Sequence, residues 1–249
     1  MATLPLNKPA GVLVKTTCVD FPGRVAGSFF LKGCNLRCPY CYNTGLVLGN
    51  DSGDQLTTIE ELFQHLEKRQ GILTGLVISG GEPLLNPYTP LIIKKAKELN
   101  YKIKLDTNGT LPDELDTFLN NPELSPDFVA MDIKTSPERY ATLICNKQSK
   151  FFGNTEYFVN VVKRSASLVA SLPTNCREYR TVLVPGLVTK DDITNMSDFL
   201  PKDASWQFAQ FQPGNCINPA YNEIYAYTDK EAAELITHAQ SLIPGAILR

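Results

Sequence analysis

The sequence lacks several features that would place it in a functional class at once. It has only two histidines, and its 24 basic and 26 acidic side chains nearly balance. A balanced charge gives no basic face for nucleic acid or an anionic membrane, so we expect neither as a partner. The longest apolar stretches, around Val25–Leu31 and Leu76–Ile78, are far too short to span a membrane.

The N-terminal residues 1–7 have neither the basic start nor the apolar core of a secretory signal, so we expect a cytoplasmic protein. The seven cysteines are odd in number and unevenly spaced, which argues against a disulfide framework. Three of them, Cys34, Cys38 and Cys41, lie within eight residues. In a reducing compartment such a group indicates metal binding or catalysis. We expect the other four to pack as small apolar groups.

Short apolar runs alternate with amphipathic helical stretches, and no repeat or linker interrupts them, so residues 1–249 are expected to form one domain. The predicted strands are Val25–Leu31, Leu76–Ser79, Lys102–Asp106, Phe128–Ile133, Arg180–Val184 and Trp206–Phe211. One predicted helix follows a capping box at Thr57-Thr58-Ile59-Glu60, and another follows Thr228. The others span Tyr88–Leu99, Pro112–Leu119, Thr155–Ala170 and Asp191–Leu200.

Six β-then-α units predict an α/β fold with a parallel sheet and helices outside it. Six strands are fewer than the eight of a complete barrel. Either a doubly wound open sheet or a curved, incompletely closed barrel satisfies this pattern. In both architectures, ligands bind at the carboxyl ends of the strands, which is where the polar motifs of this chain lie.

The cysteines form a C-x3-C-x2-C run directly after the first predicted strand. Thiolates favour zinc, copper(I) and iron–sulfur clusters. A structural zinc needs four ligands; His65 and His238 are distant and read as surface helix residues, although a distant cysteine could serve. A cubane cluster on three cysteines leaves one iron without a protein ligand, and that iron can chelate the amino and carboxylate groups of a substrate.

The cysteine run, the preceding residues 15–24 and the following Tyr42-Asn43 resemble the radical S-adenosylmethionine superfamily. More narrowly they resemble the activating enzymes of glycyl-radical enzymes, above all the anaerobic ribonucleoside-triphosphate reductase activating proteins. The resemblance extends from about residue 11 to residue 218. It implies an incomplete (β/α)6 TIM-like barrel, a [4Fe-4S] cluster on the three cysteines, and S-adenosylmethionine as cosubstrate. Tyr40 and Tyr42 would belong to the cosubstrate site.

Polar motifs follow the later strands. Ser79-Gly80-Gly81-Glu82-Pro83 alone is a tight turn, but it resembles the motif that binds the amino group of S-adenosylmethionine. Asp106-Thr107-Asn108-Gly109 reads as an Asx turn. Asp132 and Lys134 share a strand face and form an ion pair or bind a ligand. The resemblance implies a monovalent cation site at Asp106, Thr107, Asp132 and the Ala130 carbonyl, and a nucleoside contact for Lys134.

Two further positions come from the same resemblance. Arg180 precedes a Val-Pro-Gly turn as does a ligand-contacting arginine of related activators, and Asn195 stands where those activators carry a histidine. Cys216, after the sixth strand, is either a plain buried thiol or a residue at the open end of the barrel.

The function implied by the resemblance is cleavage of S-adenosylmethionine to a 5′-deoxyadenosyl radical. The chain has no ferredoxin-like insert between Cys41 and Ser79, and the short barrel leaves an open face that suits a macromolecular substrate. We therefore expect a glycyl radical to be installed on a partner enzyme, anaerobic ribonucleoside-triphosphate reductase first, with a flavodoxin- or ferredoxin-type reductant. Activation of pyruvate formate-lyase or another glycyl-radical enzyme, radical chemistry on a small molecule, and a zinc-stabilised binding module are the alternatives.

Overall fold

The computed structural model describes residues 4–49 and 56–249; residues 1–3, part of the segment read for a secretory signal, lie outside this range. The described strands are β1 (Pro9–Thr17), β2 (Ala26–Leu31), β3 (Thr57–Thr58), β4 (Gly75–Gly80), β5 (Lys102–Thr107), β6 (Phe128–Asp132), β7 (Arg177–Leu183), β8 (Trp206–Gln210) and β9 (Ala246–Leu248). The described α-helices are α1 (Thr44–Leu48), α2 (Ile59–Lys68), α3 (Thr89–Glu98), α4 (Pro112–Asn120), α5 (Tyr140–Leu143), α6 (Thr155–Ala170), α7 (Lys190–Ser197) and α8 (Asp229–Leu242).

The sheet is mostly parallel and does not close, which confirms the predicted α/β class and the incomplete barrel. The structure adds an antiparallel edge that the sequence did not predict. There β1 pairs antiparallel with both β2 and β3. Among the residues that the structure describes, no helix is long and apolar enough to cross a membrane.

The chain divides into two compact units that interleave along the sequence. Of the described residues, unit 1 comprises 4–34, 43–49, 56–107 and 113–129, and unit 2 comprises 35–42, 108–112 and 130–249. The expected single domain stays a prediction.

Unit 1 carries the strand order β3-β1-β2-β4-β5, with β2, β4 and β5 parallel. Its strands are rich in buried aliphatic residues because helices cover them, as expected for parallel strands. A buried cluster of Phe21, Ala26, Val77 and Phe128 closes one part of this core. In α2 the capping box is formed by Thr58 and Glu61, one residue later than the sequence pattern indicated.

Unit 2 carries β7, β8 and β9 as parallel neighbours, and the end of β6 reaches β7 through the Ile133 amide, which donates to the Arg180 carbonyl oxygen. Its core includes Trp206, whose indole N–H donates to the Thr181 hydroxyl at 3.0 Å. The capping box predicted at Thr228, with Glu231, is confirmed at the start of α8.

Candidate functional site

The cysteine loop begins in unit 1 at the end of β2. Cys34 and Cys41 are half-buried, and the Cys38 side chain is buried. Within unit 1 the Gly33 amide donates to the Leu46 carbonyl of α1 at 2.9 Å. A backbone hydrogen bond of the protein itself therefore fixes the start of the cysteine loop.

The rest of the loop belongs to unit 2, where other backbone bonds hold it. The Arg37 amide donates to the Ile144 carbonyl at 2.8 Å. The Ile217 amide donates to the Cys41 carbonyl at 3.2 Å, and the Asn218 amide donates to the Pro39 carbonyl at 2.9 Å. The segment after β8 thus braces the second and third cysteines.

The turn after β4 is packed directly against the start of the cysteine loop within unit 1. The Gly81 amide donates to the Leu31 carbonyl at 2.9 Å, and the Glu82 amide donates to the Gly33 carbonyl at 2.8 Å. A Cβ on Gly81 would lie 1.8 Å from the Gly33 carbonyl oxygen, so only glycine allows this approach. The Gly-Gly pair of the motif therefore has a demonstrable structural role.

Glu82 is fully buried and bonds inside the protein. Its Oε1 atom accepts the Leu84 amide at 3.1 Å and the Thr107 hydroxyl at 2.9 Å. These bonds fix the Glu82 carboxylate and tie the ends of β4 and β5 together in unit 1. Ser79, at the end of β4, is half-buried.

Asp106, at the end of β5, forms a buried ion pair that the sequence patterns missed. The Lys104 Nζ atom lies 2.8 Å from Asp106 Oδ1, and their side chains are 1% and 10% exposed. Residues two apart in a strand share a face, which is the signal that could have found the pair.

Asn108 forms the predicted Asx turn. Its Oδ1 atom accepts the Thr110 amide at 3.0 Å and the Thr110 hydroxyl at 2.6 Å, while its Nδ2 donates to the Asn35 Oδ1 at 3.0 Å. Because Asn35 follows Cys34 in the chain, this buried network within unit 2 positions the cysteine loop. These hydrogen bonds support the interpretation of Asn108 as a structural residue of an Asx turn.

Asp132, at the end of β6, accepts two cationic donors. The Arg180 Nε lies 2.7 Å from Oδ1, and the Lys134 Nζ lies 2.8 Å from Oδ2. Burial opposes ionisation of Asp132, but the neighbouring Arg180 and Lys134 cations outweigh it and hold the pKa of the carboxyl well below its usual range. Burial alone would lower the pKa of Lys134, yet the Asp132 carboxylate raises it well above its usual value.

This triad lines a cavity of ≈ 250 Å³ in unit 2, together with Gln207 and Phe208 of β8. The three side chains are each 19–25% exposed, so they reach the cavity while staying paired with one another. A charged, partly open site of this kind can hydrogen-bond the polar groups of a ligand.

The two tyrosines of the loop differ. The Tyr40 hydroxyl is buried and, among the described residues, has no hydrogen-bond partner, and burial raises its pKa well above the usual value. The Tyr42 hydroxyl accepts the Gln212 amide at 2.8 Å, and its ring stacks on Phe211 with centroids 6.4 Å apart. Tyr42 therefore braces the loop, whereas the Tyr40 hydroxyl lacks the partner that a buried polar group requires.

The remaining predicted positions lie in different surroundings. Asn195 is exposed on α7 and its amide lies 3.4 Å from the Ser136 hydroxyl. Cys216 is a buried thiol whose Sγ lies 3.4 Å from the Gly214 carbonyl. His65 and His238 lie on helices, bonded to the Lys15 carbonyl and the Thr194 hydroxyl.

The donor atoms of the three cysteines indicate which metal centre the loop can bind. Over residues 4–49 and 56–249, no group of three His, Cys, Asp or Glu side chains is arranged to hold a metal ion. Three thiols within eight residues are nevertheless the soft donor set of an iron–sulfur cluster. By the chemistry of their donor atoms the three cysteines therefore fit such a cluster.

Comparison with known proteins decides the family. The sequence profile of the radical SAM superfamily matches residues 28–200. The chain belongs to the radical S-adenosylmethionine superfamily. A Methanocaldococcus jannaschii protein named as a glycyl-radical enzyme activating enzyme is 27% identical over 240 residues, which cover 95% of this chain and 94% of that protein. Pyruvate formate-lyase-activating enzyme of Clostridium pasteurianum is 34% identical over 188 residues, 73% of this chain and 71% of that enzyme.

Membership establishes that this radical S-adenosylmethionine protein is an enzyme and confirms the family recognised from the cysteine run. The family also implies the [4Fe-4S] cluster and S-adenosylmethionine as its cofactors. The solved structure of TYW1 with a lysine-pyruvate adduct bound superposes with a TM-score of 0.55 at 12% identity, over 87% of this chain and 73% of that one. At that identity the likeness concerns the fold alone.

Proposed function

We propose that this enzyme installs a glycyl radical on a partner enzyme. The observation that carries the proposal is the similarity over nearly the full length to a protein named as a glycyl-radical enzyme activating enzyme, with coverage of 95% and 94% of the two chains. No further cysteine lies between Cys41 and Ser79, so a ferredoxin-like insert is absent there, which agrees with a macromolecular substrate.

Cys34, Cys38 and Cys41 would hold the [4Fe-4S] cluster. When bound and reduced, the cluster supplies the electron that cleaves S-adenosylmethionine to methionine and a 5′-deoxyadenosyl radical. The turn at residues 79–82 would orient the amino group of S-adenosylmethionine through backbone groups. Asp132, with Lys134 and Arg180, would bind polar groups of the nucleoside, because these charged side chains line a cavity of ≈ 250 Å³.

The partner that we propose first is anaerobic ribonucleoside-triphosphate reductase, on the resemblance of residues 15–24 and the cysteine run. The electron would come from a flavodoxin- or ferredoxin-type protein in the cytoplasm. Neither nucleic acid nor a membrane surface has a role in this scheme. Pyruvate formate-lyase is the second candidate partner, favoured by the 34% identity to its activating enzyme.

The test is activation of each partner by anaerobically reconstituted, reduced enzyme with S-adenosylmethionine. A glycyl signal in electron paramagnetic resonance on one partner supports the proposal and assigns the partner. Cys38→Ala should abolish the signal, and Cys18→Ala, which changes an exposed cysteine outside the loop, should keep it. Cleavage of S-adenosylmethionine that depends strictly on a metabolite, with no glycyl signal on any partner, would overturn the proposal in favour of a small-molecule substrate.

The resemblance also implies a monovalent cation at Asp106, Thr107 and Asp132. Both carboxylates already bind basic side chains within their own units. The donor set therefore does not fit a metal cation in the way that the resemblance implies.

A further inference from the structure

We infer that the ammonium group of Lys104 takes the place of a monovalent metal cation at Asp106, so that this enzyme needs no such cation. The inference rests on the proposed function only in assigning Asp106 to the cosubstrate site. It concerns residues of unit 1 and can be tested without a partner enzyme, a cluster or S-adenosylmethionine.

The first step is the geometry of the pair. Lys104 and Asp106 are both on β5, two residues apart, and so project from the same face. Their charged atoms are 2.8 Å apart, the length of a charge-assisted hydrogen bond. The carboxylate thus has a cation in direct contact, supplied by the chain itself.

The second step is burial. The Lys104 side chain is 1% exposed, and its Nζ lies 5.9 Å from the centroid of the Phe128 ring. A lysine this deeply buried is retained only when its charge is paired, because an unpaired buried ammonium is costly. A metal cation bound to the same carboxylate would place two like charges side by side in a medium of low dielectric constant, and this repulsion disfavours its binding.

The other residues of the expected cation site also already bind partners within the protein. Both carboxylate oxygens of Asp132 accept cationic donors, Arg180 at Oδ1 and Lys134 at Oδ2. The Thr107 hydroxyl donates its proton to Glu82 at 2.9 Å. Considered one by one, each acidic residue of the expected cation site is neutralised by a basic side chain of this chain.

The chain offers a matched control on the same strand. Lys102 also pairs with an aspartate, Asp127, at 2.7 Å, but the two side chains are 52% and 30% exposed. Lys102→Met removes the same charge from β5 without leaving a buried carboxylate unpaired. The Lys104→Met variant removes the buried ammonium with little change in side-chain length.

The experiment measures thermal unfolding of the full-length, cluster-free protein in potassium chloride and in choline chloride at equal ionic strength. For wild type and Lys102→Met we expect the same midpoint in both salts. For Lys104→Met we expect potassium to raise the midpoint by roughly 3–6 °C at a concentration ten times its dissociation constant. The double variant Lys104→Met/Asp106→Asn should lose that dependence, because the carboxylate that attracts the cation is gone.

Wild-type binding is measured directly by thallium(I) NMR, thallium(I) serving as the probe for a monovalent cation. No saturable binding is expected for wild type. One saturable site in wild type, or a potassium-dependent wild-type midpoint, would overturn the inference, even if Lys104→Met does not fold. A folded Lys104→Met variant whose thermal unfolding midpoint is the same with and without potassium would overturn the inference as well. None of these results depends on glycyl-radical formation.

Discussion

Two aspartate–lysine pairs of the same spacing lie in different surroundings. In unit 1, Lys104 and Asp106 are almost completely buried and pair with each other at 2.8 Å. In unit 2, Asp132 bonds both Lys134 and Arg180, and all three side chains line a cavity. The first arrangement neutralises a charge inside the protein, and the second presents paired charges to a ligand.

Charged residues at strand ends therefore cannot be assigned to ligand binding by their spacing alone. Both pairs place an aspartate and a lysine two residues apart, which puts them on one strand face. Burial separates them, because a ligand can reach a side chain that is 19–25% exposed more readily than one that is 1% exposed.

The largest expected effect is on stability in unit 1. In choline chloride, Lys104→Met should lower the free energy of unfolding by about 3–5 kcal/mol, because it leaves a buried carboxylate without its cation. Lys102→Met should cost only about 0–1 kcal/mol, since its ion pair is exposed. Urea denaturation measures both. Equal losses in the two variants would erase the distinction between buried and exposed pairs.

The turn after β4 should be the next most sensitive part of unit 1. Gly81→Ala should destabilise the protein by about 2–3 kcal/mol, because its Cβ would meet the Gly33 carbonyl oxygen and backbone atoms cannot easily move. Gly27→Ala is the control, since its Cβ would find its nearest atom at an ordinary 3.7 Å. Denaturant titration checks the stability, and iron content after reconstitution reports on the loop. An undisturbed Gly81→Ala variant would contradict the role given to this turn.

The open triad of unit 2 should act on ligand affinity more than on stability. Lys134→Gln should weaken binding of S-adenosylmethionine by about 10–100-fold, the value of one hydrogen bond to a charged group. Arg180 still neutralises Asp132 in this variant, so the loss of stability should stay near about 1 kcal/mol. Anaerobic calorimetric titration of the reconstituted enzyme measures the affinity. Unchanged affinity with a large loss of stability would make this triad as structural as the Lys104–Asp106 pair.

The smallest expected effect is a pH dependence. The pKa of Asp132 lies well below its usual range in the folded protein, so the unfolded chain takes up a proton at this carboxyl at higher pH than the folded one. The stabilisation is therefore complete above the unfolded pKa and is lost as the pH falls toward the folded pKa. The difference in unfolding free energy between wild type and Asp132→Asn should shrink between about pH 5 and pH 2. A difference that grows on acidification would reverse the assigned direction.

The sequence predicted the buried part of the fold well and its margins poorly. The six predicted strands correspond to β2 and β4–β8, because continuous apolar runs bounded by turn residues mark buried parallel strands. The missed β1 has an irregular register against β2, so alternation does not show in its sequence, and β3 and β9 have only two and three residues. The short helices α1 and α5 span too few residues for a helical period to show.

The candidate site was predicted at the level of motifs, and the partners of its side chains were not. A lysine within a strand ordinarily reads as exposed, so the buried role of Lys104 required three-dimensional information. The motif at residues 79–83 was assigned to the amino group of S-adenosylmethionine, and the bonds of Glu82 Oε1 to Thr107 and Leu84 were not predicted. The bond from the Thr107 hydroxyl joins residues 25 positions apart, which no local pattern reveals.

We propose that Cys34, Cys38 and Cys41 hold a cluster with one iron open to S-adenosylmethionine. Mössbauer spectroscopy of the protein reconstituted with isotopically enriched iron would show whether they do. We expect a [4Fe-4S] cluster in which one iron changes its signal when S-adenosylmethionine is added, and no cluster in Cys38→Ala. Tetrahedral zinc at the loop, or a cluster whose irons all stay unchanged by the cosubstrate, would refute this assignment.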